Sequence, residues 1–594
     1  MTKDTTQLPI ARRMAAVALL SLGLQWPFAS HAGCSIGTVA LPVKMVGTRA
    51  IATVGINGTQ VPLLVDTGAF FSFLTEAAAQ QLGLRTRALP GDIRVQGLTG
   101  SVAARLTTVD HLKLLDGDMP GMEFIVGGNE AGSGAMGLLG RNILGAMDTE
   151  YDLAHGVIRF VVPGDGCEKA NMAYWAGDTP VAMVELLKDY RLKRPLIRAR
   201  VELNGHAAIA MFDTGATTTV SLDAAHSAGV KDAAMTATGL MTGAGSGKAK
   251  AWTAPFDSIS LGGETVRHNQ MEVADFDLPG TDMLVGIDFF LSHRIYIAQK
   301  QSRMFFTYNG GPVFALNASA PPDPAASRPD AAAGEKMSAD EYARRGAASL
   351  ARRDAAAALA DLDRACAQEP GNAAFFAMRA SVHLALKQED KALSDLDTAL
   401  QLDAGQAEAR IERSAIRRTR NERGPVLDDL SALDRTLPPQ SQIRQRMALL
   451  YESMDMPAQA LAQWNLWIAA HRHDIALEHA YNGRCWARVQ LDIELDKALD
   501  DCDEAVDADS KNASYLDSRA WVFARLGRWQ RAKSEFDRAL AVKPDQAESL
   551  YGRALVHQHL DEPAGALADL AAARKIAPAI DADIARYGLP TVKP

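Results

Sequence analysis

"VPLLVDTGAFFSFL" at residues 61–74 and "AAIAMFDTGATTTV" at residues 207–220 set the same tetrapeptide, Asp-Thr-Gly-Ala, after an apolar run and before a second apolar stretch holding Ser or Thr. The likeness extends outward. Asn57-Gly58 and Asn204-Gly205 stand at the same distance before Asp66 and Asp213. Downstream, "TEAAAQQLGL" (75–84) and "SLDAAHSAGV" (221–230) both read as short helices ending at Gly83 and Gly229. Further on, "GLLGRNILG" (137–145) and "DMLVGIDFF" (282–290) put Gly140 and Gly286 at almost the same distance after their aspartates. One module has been duplicated.

A chain of 594 residues exceeds the roughly 250 to 300 at which a single core stops growing, so several domains are expected. Its composition, 47% hydrophobic and 22% charged, is that of ordinary globular protein, and a net charge of -9 argues against nucleic acid as a partner. Arg12 and Arg13 precede an apolar stretch from Met14 to about Leu24 and a small-residue site at Ser30-His31-Ala32. The pattern predicts a secretory signal peptide over 1–32, cut after Ala32, and a periplasmic or secreted mature protein. That stretch is shorter than the roughly 20 apolar residues of a membrane span, and no later segment is longer, so no span is expected after cleavage. A lipid-modified Cys34 is the other reading, but His31 stands where lipoprotein signals usually carry Leu.

None of the five cysteines forms a Cys-x-x-Cys pair, so neither a metal site nor a dithiol redox site is read. In an oxidising compartment Cys34 with Cys167 would bracket the first module, and Cys485 with Cys502 would join neighbouring helices. The spacing alone does not decide the pairing.

Residues 35–165 and 180–310 are short β-like runs broken by Gly, Asn-Gly and Asp-Gly turns, and each segment forms one lobe of a mostly β half. Residues 311–337 fill with Pro, Ala and Ser and read as a linker. From 338 to 580 amphipathic helices recur about every 34 residues, with small side chains in register at Gly346, Ala358 and Ala365, at Ala520, Ala532 and Ala539, and at Ala554, Ala566 and Ala573. Small residues let two antiparallel helices pack closely at their crossing. This half resembles the tetratricopeptide repeat, with about seven copies, a degenerate one near 407–440, an insertion in the copy holding Cys485, and residues 581–594 as a cap. The resemblance implies an all-α solenoid whose concave face binds peptides or proteins.

An apolar strand, then Asp-Thr-Gly-Ala, then much later an apolar-apolar-Gly element is similar to the retroviral-type (retropepsin-like) aspartic proteases, and the likeness covers both modules. In that family each lobe contributes one aspartate and the site lies between two lobes. Peptide hydrolysis needs a base to activate water and an acid to protonate the scissile carbonyl, and two adjacent carboxyls sharing one proton supply both. Asp66 and Asp213 would form that dyad, titrating as a unit. Thr67 and Thr214 would bond across the lobe interface, and Gly68 and Gly215 would allow the tight loop backbone. Ala69 and Ala216 stand where pepsin-type enzymes have Ser or Thr, whose hydroxyl favours the charged carboxylate. Its loss predicts a mildly acidic to near-neutral optimum.

Gly97, Leu98, Thr99 and Gly100 in the first module, and Gly243, Ala244 and Gly245 in the second, lie where the family has flaps that close over an extended substrate. "GAGSGK" is no phosphate loop, because its first Gly is misplaced and Ala249 follows the Lys where Ser or Thr is required. Arg141 matches the family's "GRN", yet Phe70 and Phe71 replace the acid it would pair with. The second module has Ile287-Asp288 there, so Arg141 and Asp288 are read as structural.

The expectation is a secreted aspartic endopeptidase acting on a peptide or protein substrate without cofactor or metal, with the repeats holding a protein partner. Its two lobes would pair within one chain, or corresponding lobes would pair in a homodimer. The alternative is a non-proteolytic peptide-binding scaffold built from the same modules.

Overall fold

The computed structural model describes residues 28–31, 34–90, 95–128, 134–188, 196–241, 243, 247–314, 337–474 and 476–592. Most of the expected leader lies outside them. Phe28–His31 are a strand paired antiparallel with the strand Cys34–Val46. The chain divides into two compact units, Met1–Asp403 and Ala404–Pro594.

In the first unit the duplication is visible strand by strand. Arg49–Ile56 and Thr59–Val65 form a hairpin whose turn needs left-handed backbone at Asn57 and Gly58, and Arg198–Leu203 with His206–Phe212 repeat it at Asn204 and Gly205. The second strand of each hairpin runs into Asp66 or Asp213. Beside it, in parallel, lies the apolar element ending in glycine, Gly137–Leu139 or Met283–Val285. The strand after the aspartate loop, Phe73–Leu74 or Thr219–Ser221, pairs antiparallel with that same element. The aspartate loop is thereby pinned from both sides. The helices Glu76–Gln81 and Leu222–Ser227 follow as expected, capped by the hydroxyls of Thr75 and Ser221.

A six-strand arrangement joins the lobes, in the order Cys34–Val46, Val157–Pro163, Asp148–Asp152, His293–Ala298, Arg303–Tyr308, Ala182–Glu185. The lobes meet where Thr149, Glu150 and Tyr151 pair with Ile297, Tyr296 and Ile295. One apolar core runs through both, with Phe124, Phe212, Phe289 and Phe290 wholly buried. Each such side chain is worth about 1.5–3 kcal/mol, so the two lobes stabilise one another. Glu150 is fully buried in this sheet but accepts hydrogen bonds from Arg159, Arg294 and Tyr174, which offset the desolvation of its charge.

Two expected boundaries shift. The stretch between the lobes packs on this sheet through Cys167, Met172, Ala173 and Ala176, and Arg294 stacks on Trp175. Residues 311–314 belong to the second lobe and not to a linker, because Phe314 is buried and stacks on Phe289 while the Val313 carbonyl accepts from Asn269. Residues 315–336 lie outside the described residues.

Helix pairs follow. In the first unit they are Ala339–Ala351 with Ala355–Gln368 and Ala373–Ala385 with Glu389–Leu402. The first helix opens on a capping box of Ser338 and Glu341, and its Ala347, Ala348 and Ala351 enter the core of the lobes. The second unit holds Ala407–Thr419 with Arg423–Thr436, Ile443–Ser453 with Pro457–Ala470, Leu477–Leu491 with Leu495–Ala508, Ala513–Arg525 with Trp529–Val542, and Ala547–His559 with Pro563–Ile576, then Ile580–Arg586. Ala358, Ala392, Ala460, Ala498, Ala520, Ala532 and Ala554 are all fully buried, as close helix crossings require.

A charge pattern accompanies the small residues. Arg345 grips Asp361 with two hydrogen bonds, as do Arg379 and Asp395, Arg413 and Asp429, and Arg553 and Asp569, each pair sixteen residues apart and joining the two helices of a repeat. Such forked contacts are the stronger kind of ion pair. The segment near 407–440, which keeps a small residue at Ser414 but loses two to Val426 and Leu433, keeps this pair and forms regular helices. The insertion near Cys485 lengthens one helix, and Arg484 meets Asp501 at seventeen residues. Among the described residues, no helix is long and apolar enough to cross a membrane.

Candidate active site

The two Asp-Thr-Gly-Ala loops meet where the lobes join. Thr67 N–H donates to Thr214 Oγ1 at 3.1 Å, and Thr214 N–H donates to Thr67 Oγ1 at 3.0 Å. Each hydroxyl then donates to the opposite lobe, Thr67 to the Phe212 carbonyl and Thr214 to the Val65 carbonyl, both at 2.8 Å. Both threonines are buried, so each bond is made away from competing water.

This clasp brings the aspartates face to face. A Cβ on Gly68 would lie 2.3 Å from Asp213 Oδ2, and one on Gly215 would lie 2.7 Å from the Asp66 carboxyl. Neither glycine has a left-handed backbone. The sequence reading assigned them to a tight loop, but the structure requires them because the other lobe's carboxyl occupies the space of a side chain.

The pair is not symmetric in its donors. Asp213 Oδ1 accepts from Gly215 N at 2.8 Å and from Gly68 N at 3.3 Å, whereas Asp66 Oδ1 accepts from Ala69 N at 2.7 Å and Gly68 N–H also favours its charged form. Burial pushes the Asp66 carboxyl well above the usual carboxylate range, and the charge of Asp213 beside it pushes further. Burial also raises Asp213, with the Gly215 and Gly68 N–H groups and Asp66 pulling the other way. Both carboxyls are raised by burial, so the pair favours holding one shared proton.

Gly140 and Gly286 close the site from beneath. A Cβ there would lie 2.4 Å from the carbonyl oxygen of Phe71 or Ala216, so these elements pass directly under the aspartate loops. Arg141 N and Ile287 N donate to the Ala69 and Ala216 carbonyls, both at 2.8 Å. Ser72 Oγ accepts from Gly140 N and donates to Asn142 Oδ1, while Thr218 Oγ1 accepts from Gly286 N and donates to Asp288 Oδ1. Sequence reading missed Ser72, Asn142 and Thr218, because the first loop is one residue longer and hides the correspondence. Arg141 is buried beside Tyr151, and Asp288 is buried under Thr218, so both hold structure as expected.

Where a flap is expected in the first lobe stands the hairpin Val95–Gly97 with Gly100–Val102. Its tip touches the second lobe: Gly247 N donates to the Thr99 carbonyl at 2.7 Å, and Thr99 Oγ1 donates to the Gly243 carbonyl at 3.2 Å. Leu98 packs against an apolar cluster of Met211, Ala251 and Leu284 that Ala216 also borders. Ala244 and Gly245 lie outside the described residues.

Both expected disulfides are present, Cys34 with Cys167 and Cys485 with Cys502, and Cys366 is a buried free thiol. No group of three or more His, Cys, Asp or Glu suited to a metal ion occurs among the described residues.

Residues 52–143 and 199–289 each match the family described as aspartyl protease. No curated protein matches the chain. Among solved structures the chain is similar to a tetratricopeptide repeat protein from Parabacteroides merdae, at 15% identity over 42% of this chain and 98% of that one, with a TM-score of 0.32. It is also similar to YrrB, described as a TPR protein with an unusual peptide-binding site, at 17% identity over 36% of this chain and 92% of that one, with a TM-score of 0.22.

Proposed function

We propose that two lobes of aspartyl protease type, carried on one chain with a tetratricopeptide array, form a working aspartic endopeptidase, and that the array holds a protein substrate or partner. The observation that carries the reading is the reciprocal backing of the dyad, in which each lobe's glycine faces the other lobe's carboxyl. Such a site is assembled only when both lobes are present, and one chain supplies both.

In the proposed reaction the dyad shares one proton, and with that proton written on Asp66, Asp213 takes a proton from water as the water oxygen bonds to the scissile carbonyl carbon. Asp66 gives its proton to the carbonyl oxygen. The tetrahedral diol then collapses: Asp213 returns its proton to the departing nitrogen, a diol hydroxyl returns one to Asp66, and the C–N bond breaks. The dyad ends as it began. Activity is lost at low pH when the dyad takes a second proton and at high pH when it loses its one. Burial raises both carboxyls, which carries the upper limb above the usual carboxylate range. We place the protein in an oxidising compartment, in keeping with its two disulfides.

The test is cleavage of an unfolded protein from about pH 3 to about pH 8 by the protein and its Asp66→Asn and Asp213→Asn variants, each variant expected to lose at least the roughly 10²–10⁴-fold of acid–base catalysis. Equal cleavage by all three, or none by any, removes the peptidase reading and leaves a binding module. Activity regained on mixing the two variants would show lobes pairing between chains.

A further inference from the structure

In the second unit the chain turns back after its last repeat and lies along the repeats it has just built. The helix Ile580–Arg586 covers the final helix pair with Ile580 and Ile584, as a cap must. The chain then continues past the cap. Arg586, the last residue of the cap helix, pairs with Asp455 at 3.2 Å, and beyond it Tyr587 meets Trp486 edge to face at 6.1 Å and Leu589 is buried. Its backbone is held too: the Gly588 carbonyl accepts from Arg525, and Val592 N–H donates to the Tyr551 hydroxyl at 3.1 Å. Gly588 has left-handed backbone, and a Cβ there would lie 2.8 Å from the Gln490 carbonyl.

The partners of this segment come from the first helices of three successive repeats: Trp486 and Gln490, Arg525, and Tyr551. A cap needs only the last pair. A segment that crosses three repeats, with the Gly588 carbonyl and the Val592 N–H held by repeat side chains, Leu589 buried and Tyr587 half-buried, has the form of a bound peptide. We infer that Tyr587–Val592 is an intramolecular ligand of this face, and that the face takes from a partner a segment of the same chemistry: an aromatic residue, a left-handed glycine that turns the chain out of a helix, then an aliphatic residue. This deepens the partner-binding reading of the repeats and rests on it. A tethered segment has an effective concentration in about the millimolar range, so a cis ligand of about ten micromolar intrinsic affinity would hold the face about 99% occupied and weaken a partner roughly 100-fold.

The test uses the full chain carrying Asp66→Asn, which removes self-cleavage and touches no repeat. Tyr587→Ala with Leu589→Ala loosens the segment and leaves the cap helix in place. A fluorescein-labelled peptide spanning Ile580–Val592 is titrated against the chain with and without these two changes, read by anisotropy. The loosened chain is expected to bind at least tenfold more tightly than its parent, and a peptide carrying the same two alanines is expected to lose that binding. Equal binding to both chains overturns the intramolecular ligand while leaving the face a partner site. Absence of binding to either, with melting still cooperative, overturns the partner-binding reading as well. Loss of cooperative melting in the loosened chain overturns the proposal by making the segment part of the cap.

Discussion

The loop around Asp66 and the loop around Asp213 begin with the same four residues and part company at the fifth. The first carries Phe70 and Phe71 and reaches its supporting hydroxyl at Ser72, which leans on Asn142; the second carries Thr217, reaches its hydroxyl at Thr218, and leans on the buried acid Asp288. The first aspartate takes an N–H from its own loop at Ala69, and the second takes one from its own loop at Gly215 and one from the opposite lobe at Gly68. A site made of identical halves can hold such an asymmetry only by chance of the moment. Two halves on one chain can fix it, because each copy is free to change. The parts that hold the halves together, Thr67 and Thr214, have stayed alike, whereas the parts that set their electrostatics have diverged.

The glycines test this comparison hardest. Gly68→Ala would drive a methyl to within 2.3 Å of an Asp213 oxygen, and Gly215→Ala to within 2.7 Å of the Asp66 carboxyl. Each substitution acts through the opposite lobe. Displacement of a reacting group by about 1 Å costs on the order of 100-fold, so both should lose at least that in kcat/KM while melting cooperatively, and Gly68→Ala should lose more. A Gly68→Ala protein with full activity would break the reciprocal site.

The threonines should behave alike where the aspartates do not. Thr67→Val and Thr214→Val each strip a buried hydroxyl that accepts one N–H and donates to one carbonyl of the other lobe. Buried groups left without partners cost about 1–3 kcal/mol apiece, so each variant should lose about 2–4 kcal/mol in denaturant unfolding, and the two losses should agree to about 1 kcal/mol. A twofold inequality would show that the clasp, too, has become one-sided.

Much of this was open to sequence reading because duplication is a pattern within one chain. The hairpin turns, the capped helices, the aspartate loops and the glycine elements recur at fixed offsets, and each rests on local chemistry. What stayed hidden depends on contacts between lobes or on a change of offset. The extra residue in the first loop moves Ser72 out of step with Thr218, so no fixed offset finds them. Phe314 sits in a stretch of linker composition, yet a single ring stacked on Phe289 brings it into the core. The forked Arg–Asp pairs were in plain view at Arg345 and Asp361 and again at Arg379 and Asp395, but small and apolar residues define the helix crossing, and a charge periodicity inside it goes unlooked for.

The supports of the two glycine elements give the smallest effect and the finest comparison. Burial holds the Asp288 carboxyl above its ordinary range even though Thr218 donates to it at 2.5 Å. A carboxyl that binds its proton more tightly in the folded than in the unfolded chain contributes fully below the unfolded value of about 3.8, and its contribution falls as pH rises through the folded value. Asp288→Asn keeps an oxygen to accept from Thr218 and has no proton to lose. It should match the parent near pH 3.5 and exceed it near pH 8 by about 1 kcal/mol, the common size of a single-site change, seen as a higher melting temperature only on the alkaline side. Asn142→Asp gives the first lobe the same liability and should lower the melting temperature on that side alone. If Asp288→Asn instead destabilises at pH 8, the charge itself supports the second loop, and the two lobes differ in kind at this position and not only in pH response.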